Sequence, residues 1–356
     1  MTVDSLNTAP ATTSGFFGTA PSNLQEKLES WNEPRFRTTQ IFEWVYQSGV
    51  QSYEAMSNLP KLLRIKLATE LPLYESEIAT QQSSRDGTIK LLLRWPDGAT
   101  SECVLIPDGD RRTACISTQV GCPVGCVFCA SGINGLQRQL SAGQIVEQAM
   151  RVRQLCADSS RLSNIVFMGL GEPLANYANT IHAVRTINAP WGMGLGARKI
   201  TISTVGLPTQ MRRLADEGLQ VNLALSLHAP DDELRAKIIP WAERIGIDEL
   251  VDAANYYFEK TGREITLEYI LLGKVNDQES HALELTRVAR RMRSNVNLIA
   301  YNPVTGLDFQ RPDDSDVLRF LDVLRSRGVN SHVRRSRGLD IDAACGQLRR
   351  RESTTR

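Results

Sequence analysis

The chain has 356 residues, 42% of them hydrophobic, and a net charge of +1. That leaves room for one large domain and a smaller one, and does not by itself announce nucleic acid. No apolar run reaches the ~18 residues needed to cross a bilayer, and the start, Met1-Thr-Val-Asp-Ser-Leu-Asn, lacks a basic segment followed by an apolar one. The cysteines are odd in number and three of them crowd together. That is no secreted disulfide framework, so a reducing, cytoplasmic compartment is expected.

In chain order, residues 1–20 are rich in Thr, Ser, Ala, Pro and Gly without an apolar period and read as a disordered tail. Residues 21–75 read as a small helical domain. Ile41, Trp44 and Val45 fall on one face, and Leu59, Leu62, Leu63 and Ile65 mark a second amphipathic helix. Residues 76–110 read as a β-hairpin extension, with strands Thr88 to Trp95 and Thr100 to Ile106 around Pro96-Asp97-Gly98. Glu102 falls in the second of these strands. From 111 to 348, six short apolar strands alternate with amphipathic helices. The strands start near Thr113, Asn164, Lys199, Val221, Glu264 and Val296, and Ser141 with Gln144 opens one helix as a capping box. The alternation predicts an α/β fold with a parallel sheet and right-handed crossovers. Periodicity does not separate an open sheet from a barrel, but either binds ligands at the C-terminal ends of its strands.

Residues 349–356 form a basic tail. From His281 onward, 15 Arg and no Lys stand against 9 Asp and Glu. Arg287, Arg290, Arg291 and Arg293 form one group, Arg334, Arg335 and Arg337 a second, and Arg349, Arg350 and Arg351 a third. Forked guanidinium donors suit phosphates, although a solvated face gives the same pattern.

Chemistry concentrates in Gly121-Cys122-Pro123-Val124-Gly125-Cys126-Val127-Phe128-Cys129-Ala130. Three thiols on a loop broken by Gly and Pro aim at one centre. In one reading Cys122, Cys126 and Cys129 hold three irons of a four-iron, four-sulfur cluster and leave the fourth iron open. In the other, Cys115 joins them around a tetrahedral zinc. Further polar motifs end the later strands. These are Gly169-Leu-Gly171-Glu172-Pro173, Ser203, Ser226-Leu227-His228 and Asn302. Gly171 permits close backbone approach, and Glu172 can accept from an ammonium. Cys345 lies far downstream in Gly338-Leu-Asp-Ile-Asp-Ala-Ala-Cys345-Gly346-Gln347-Leu348.

The Cys-x3-Cys-x2-Cys spacing with Phe128 before the last cysteine resembles the radical S-adenosylmethionine (radical SAM) enzymes. The flanks of that loop and the Cys345 segment resemble the RlmN/Cfr family, which methylates adenine ring carbons in RNA. The resemblance spans about Phe36 to Leu348. It implies a partial six-stranded (β/α) barrel and an N-terminal domain that helps seat RNA. It implies a [4Fe-4S] cluster on Cys122, Cys126 and Cys129, and a SAM pocket of Gly171, Glu172, Ser203, Ser226, Leu227, His228 and Asn302. It makes Cys345 the methyl-carrying cysteine, Cys115 the thiol that resolves the RNA adduct by disulfide formation, and Glu102 the proton acceptor. 23S rRNA and tRNA would be the substrates, with an electron donor and a disulfide reductant as partners and a monomer as the working form. Glu172-Pro173 leans toward the RlmN branch and adenine C2 rather than Cfr-like C8. The alternatives are a radical SAM enzyme on another substrate and a zinc-stabilised RNA-binding protein.

Overall fold

The computed structural model describes residues 15–157 and 161–349. Its N-terminal part is helical because apolar residues recur every three or four positions. Helix α1 (Pro21–Ser30) buries Leu24 and Leu28. Helix α2 (Phe36–Phe42) buries Ile41 and Phe42 and runs into a π turn, Glu43–Gln47, that buries Val45 and Tyr46. Helix α3 (Lys61–Glu70) buries Leu63 and Leu67. That face turns Leu62 and Ile65 outward, 81% and 54% exposed, contrary to the sequence expectation. At 3.6 residues per turn, Leu63 and Leu67 share a face that Leu62 and Ile65 cannot join.

The expected tail also needs correcting. Residues 1–14 lie outside the described residues, but from Gly15 on the chain is packed. Phe16 and Phe17 are buried among Phe42, Tyr46 and Tyr74. Their loop backs onto helix α4 (Ala142–Arg153), where a Cβ on Gly143 would meet Gly18 N at 2.8 Å. Helix α4 starts with the expected capping box, Ser141 and Gln144 bonding each other's backbone N–H.

Strands β1 (Glu77–Ser83), β2 (Ile89–Arg94) and β3 (Thr100–Asp108) form an antiparallel extension, and β3 also pairs antiparallel with β4 (Arg111–Cys115). Strands β5 (Gln119–Gly121) and β6 (Leu136–Gln139) form a separate ribbon. Beyond β4 the sheet is parallel through β7 (Asn164–Phe167), β8 (Ile200–Thr204), β9 (Asn222–Ser226), β10 (Ile265–Leu271), β11 (Ser294–Ala300) and β12 (Ser331–Val333). All six expected strands are present. The short β12 adds a parallel strand at one end of the sheet, and β1 adds a third strand to the hairpin at the other.

The sheet is strongly curled. Met168 follows β7 and Arg334 follows β12, five strand spacings apart. In a flat sheet that would be about 24 Å, yet Arg334 Nη1 donates to Met168 Sδ at 3.4 Å. The parallel strands therefore wrap into a partial barrel. Helices α4 and α5 (Tyr177–Asn188), α6 (Pro208–Asp216) and α8 (Ile247–Thr261), and α9 (Glu279–Ala289) and α10 (Asp314–Ser326) pack in pairs, and α7 (Asp232–Ile238) follows β9. The curl brings the C-terminal strand ends around one cleft.

Candidate active site

The cysteine loop joins β5 to β6. Gly121 sits at φ +80°, and a Cβ there would come within 2.0 Å of Gly135 O. Only glycine fits where the two ends of the loop cross. Inside it Cys129 N–H bonds Cys126 O at 3.1 Å. Cys122, Cys126 and Cys129 are free thiols that line one cleft of about 860 Å³, including its open mouth. Burial pushes all three thiols up, Cys122 to about 12, and the neighbouring thiols add to the rise at Cys122 and Cys126. Such a trio ionises when a metal centre takes the charge. Cys115, which the closed zinc site requires, lines the adjoining cleft instead. The donor set therefore fits a cluster held by three sulfurs.

The strand ends supply the other walls. Glu172 is buried, with Oε1 accepting from Leu174 N–H at 2.9 Å and Oε2 from Val205 N–H at 2.8 Å. Burial raises its pKa to about 7 against the pull of those two bonds. Gly171, at φ +104°, lets the chain press against Gln119. The Ser203 and Ser226 hydroxyls, on neighbouring strands, lie 3.3 Å apart. Leu227 turns its side chain into the core and its N–H to Glu268 O. His228 is held at φ +60°, and its Nδ1 accepts from Ile270 N–H at 3.1 Å. Burial and the Arg235 cation lower its pKa to about 3, so the ring is neutral, with its proton on Nε2. Phe128 packs edge-on against it. Two charged residues, Glu268 and Arg235, escaped the sequence reading, and a third, Arg334, was grouped there with phosphate-binding arginines. Glu268 and Arg334 line the cleft, and buried Arg235 ties the carbonyls of Val205 and Leu227 together.

Cys345 rides on a C-terminal strap tied to both ends of the fold. Ala130 N–H bonds Gly346 O at 2.8 Å, and Ser131 Oγ bonds Leu348 O at 2.8 Å. Asn302 Nδ2 donates to Cys345 O at 3.1 Å while its Oδ1 accepts from Ser336 Oγ. Asn302 thus holds the strap and lines the smaller cleft rather than the larger one. The β-extension grips the strap from the other side. Asp86 accepts from Gly338 N–H, Ser84 bonds Asp340, and Lys90 Nζ donates to Asp342 O at 3.0 Å. Glu102 pairs with Lys90 at 3.2 Å and accepts from Arg349 N–H at 2.9 Å. It is buried and lines neither cleft. Cys345 borders both clefts, facing the cluster cysteines on one side and Cys115 on the other. Burial and the neighbouring Cys345 push the Cys115 thiol to about 12, and Arg334 opposes them.

Comparison with known proteins agrees with this geometry. Residues 116–286 match the Radical SAM superfamily, and residues 16–72 match the ribosomal RNA large subunit methyltransferase N-terminal domain. A probable dual-specificity RNA methyltransferase RlmN of Rhodopirellula baltica is 45% identical over 327 residues, 92% of this chain and 88% of its own. One from Geobacillus kaustophilus is 44% identical over 92% of this chain and 90% of its own. The chain belongs to the RlmN family. A radical SAM methyltransferase of Sphaerobacter thermophilus has the same fold, with a TM-score of 0.93 and 45% identity over 95% of this chain and 99% of its own. As radical SAM enzymes, RlmN family members use a [4Fe-4S] cluster and SAM. The first helical match begins at residue 16, where the packed Phe16 replaces the expected tail.

In this RlmN family fold the arginine clusters divide. Arg334 lines the cleft instead of facing solvent, and Arg337 pairs with Asp108 at 2.9 Å. Arg335 is exposed near the smaller cleft. Arg287 lies on α9, and Arg290, Arg291 and Arg293 follow it just before β11, at the strand end opposite the site. There Arg291 pairs with Asp248. Arg349 anchors the strap through its N–H, while Arg350 and Arg351 lie outside the described residues.

Proposed function

We propose that this chain is a radical SAM RNA methyltransferase that places a methyl group on carbon 2 of adenine in 23S rRNA and tRNA, carrying it on Cys345. The observation behind this reading is the position of Cys345 between the three-cysteine cleft and Cys115. Cys122, Cys126 and Cys129 would hold the cluster. Glu172, Ser203, Ser226, His228 and the backbone at Gly171 and Leu227 would hold SAM, and Asn302 would fix the strap. When bound, cluster and SAM supply a radical able to take hydrogen from a methyl group, which suits a ring carbon that has no nucleophilic lone pair.

The chain's own residues do the rest. Cys345 accepts a methyl group as a thioether, and its methylene carbon becomes bonded to adenine C2. A base then removes the C2 proton as the adduct gives up one electron, for which the cluster would be the acceptor. Glu102, the base that the family resemblance implies, is buried against Lys90 outside both clefts, so its part here is to hold the strap. Cys115 attacks the Cys345 sulfur, releases the methylated base and leaves a Cys115–Cys345 disulfide for a reductant to open. One copy supplies every residue, so a monomer suffices. Glu172-Pro173 favours C2 over C8. Mass spectrometry of 23S rRNA and tRNA from a deletion strain should show loss of the methyladenosine, restored by the wild-type gene but not by Cys345→Ala. Cys115→Ala should accumulate nuclease-sensitive, protein-bound RNA on a denaturing gel. Normal turnover by that variant without adduct would remove the resolving role.

A further inference from the structure

Arg334 and Glu268 are charged groups in the site to which this chemistry gives no task. Glu268 stands in the middle of β10, in register with Ser226 on β9 and Asn297 on β11. It is 4% exposed. Its Oε1 accepts from Asn297 Nδ2 at 3.1 Å, and its Oε2 has no hydrogen-bond partner among the described residues. Arg334 is fixed at its backbone by Leu298 O, 2.8 Å away, and lines both clefts. In the larger cleft it shares the wall with Glu268 and Cys345, and in the smaller with Cys115 and Cys345. Its side-chain hydrogen bond to Met168 Sδ engages one of five N–H donors. Such a cation is free to serve an anion that forms during the reaction.

We propose that Arg334 stabilises the Cys115 thiolate that resolves the RNA adduct, with Glu268 as its standing counter-charge. The inference rests on the methyl-carrying reading of Cys345. The titratable groups around Cys115 are Cys103 from β3, Cys345 from the strap, and Arg334, Arg335 and Arg337, which line the same cleft. Arg337 is spent on Asp108 and Arg335 is exposed to solvent, so Arg334 is the cation that acts on the thiol. Strand β7 and its end offer only Val166 and Met168, which carry no charge. Cys115 and Cys345 thus both stand beside Arg334. Once Cys345 is a thioether it has no proton to lose, and Cys115 is the thiol left beside Arg334. Its thiolate then attacks the Cys345 sulfur. The S–S bond forms, and the bond from Cys345 sulfur to the methylene carbon breaks. Its electron pair leaves on that carbon, conjugated with the ring, and takes up a proton to give the methyl group. The two sulfurs are oxidised, the carbon is reduced, and a thiol reductant restores the dithiol.

The test uses anaerobically prepared, cluster-loaded Cys345→Ala protein, in which the second thiol is gone. The rate of Cys115 alkylation by iodoacetamide is followed at one fixed pH, about 9, by peptide mass spectrometry. Adding Arg334→Met should slow it at least about tenfold, the drop in thiolate fraction that a shift of one pH unit gives well below the midpoint. Arg334→Lys should stay near the parent rate, and Glu268→Gln should speed the reaction because the guanidinium is no longer shared. Opposite changes are what a loosened, merely structural site would not give. Where Arg334→Met does not fold, the Glu268→Gln rate decides. An unchanged rate, or changes in the same direction, would overturn the proposal. Wild-type protein that methylates no RNA would instead remove the functional reading, and the rates would still judge the pairing of Arg334 with Cys115.

Discussion

Lys90→Met is the sharpest probe of how the strap is held. Lys90 and Glu102 are both almost fully buried, 3.2 Å apart, and neither lines a cleft. Lys90 also donates to Asp342 O, and Glu102 accepts from Arg349 N–H, so the pair ties the extension to both sides of Cys345. Removing the ammonium leaves a buried carboxylate uncompensated. Breaking one side of such a pair costs about 3–5 kcal/mol, and losing the Lys90 hydrogen bond to Asp342 O adds about 1 kcal/mol. At about 2 °C per kcal/mol for a chain of this size, Tm should fall by roughly 8–12 °C. Lys90→Met/Glu102→Leu should regain most of that loss, because two apolar groups pack where two charges did. The strap should nevertheless stay loose in the double variant, having lost its bonds at Asp342 and Arg349. Differential scanning fluorimetry reads the first effect, and the rate of tryptic cleavage at Arg337 reads the second. A single variant that melts like wild type, or a double variant whose strap is cut no faster, would refute the latch.

Cys126→Ala should bind much less iron and sulfide per chain after anaerobic reconstitution and release no 5′-deoxyadenosine with dithionite; near-wild-type values would sink the cluster assignment. Glu172 has a folded pKa near 7 against an ordinary 4.5, so the native state holds the proton more tightly than the unfolded chain. Its contribution, about 3 kcal/mol, is full below pH 4.5 and is lost as pH rises to about 7. A SAM ammonium favours the ionised carboxylate, so binding near pH 6 should release a proton. Calorimetry in buffers of different ionisation enthalpy should detect it in wild type and not in Glu172→Gln, and buffer-independent heats in wild type would contradict the role. Arg335→Glu should weaken RNA binding and flatten its salt dependence by about one phosphate contact, measured by filter binding across salt concentrations. An unchanged slope would return Arg335 to a solvated face.

The parts of the site that could be read from the sequence are those whose chemistry is local. Three cysteines within one loop and Gly171-Glu172 after a strand carry their meaning in a few adjacent residues, whereas a lone Cys345 reads as a structural thiol and only the resemblance of its segment to the family gives it a role. The parallel strands were legible because strands buried on both faces read as apolar runs. Strand β1 was not, since Glu77–Ser83 is polar and largely exposed at the sheet edge, and β12 is only three residues long. Phe16 and Phe17 sit in too short a segment for any period, and partners more than twenty residues away bury them. The arginines misled because composition reports charge but not direction. Arg334 and Arg335 are neighbours in sequence, yet one faces the cleft and the other solvent.

Glu268 shows where the sequence signal ran out. Strand β10 reads Ile-Thr-Leu-Glu-Tyr-Ile-Leu, in which alternation alone would turn Thr266 and Glu268 to solvent, yet Glu268 is buried because the parallel sheet is covered on both faces. Burying it without partners costs several kcal/mol, so a chain keeps it only where the fold or the reaction supplies a counterpart. The counterpart, Arg334, is 66 residues further on, and only the curl of the sheet brings it to the same cleft. Neither its burial nor its partner could be named without the curved sheet. The same curl sets Cys345 beside Cys115, which is why neither the pair of thiols nor the pair of charges can be derived from spacing alone.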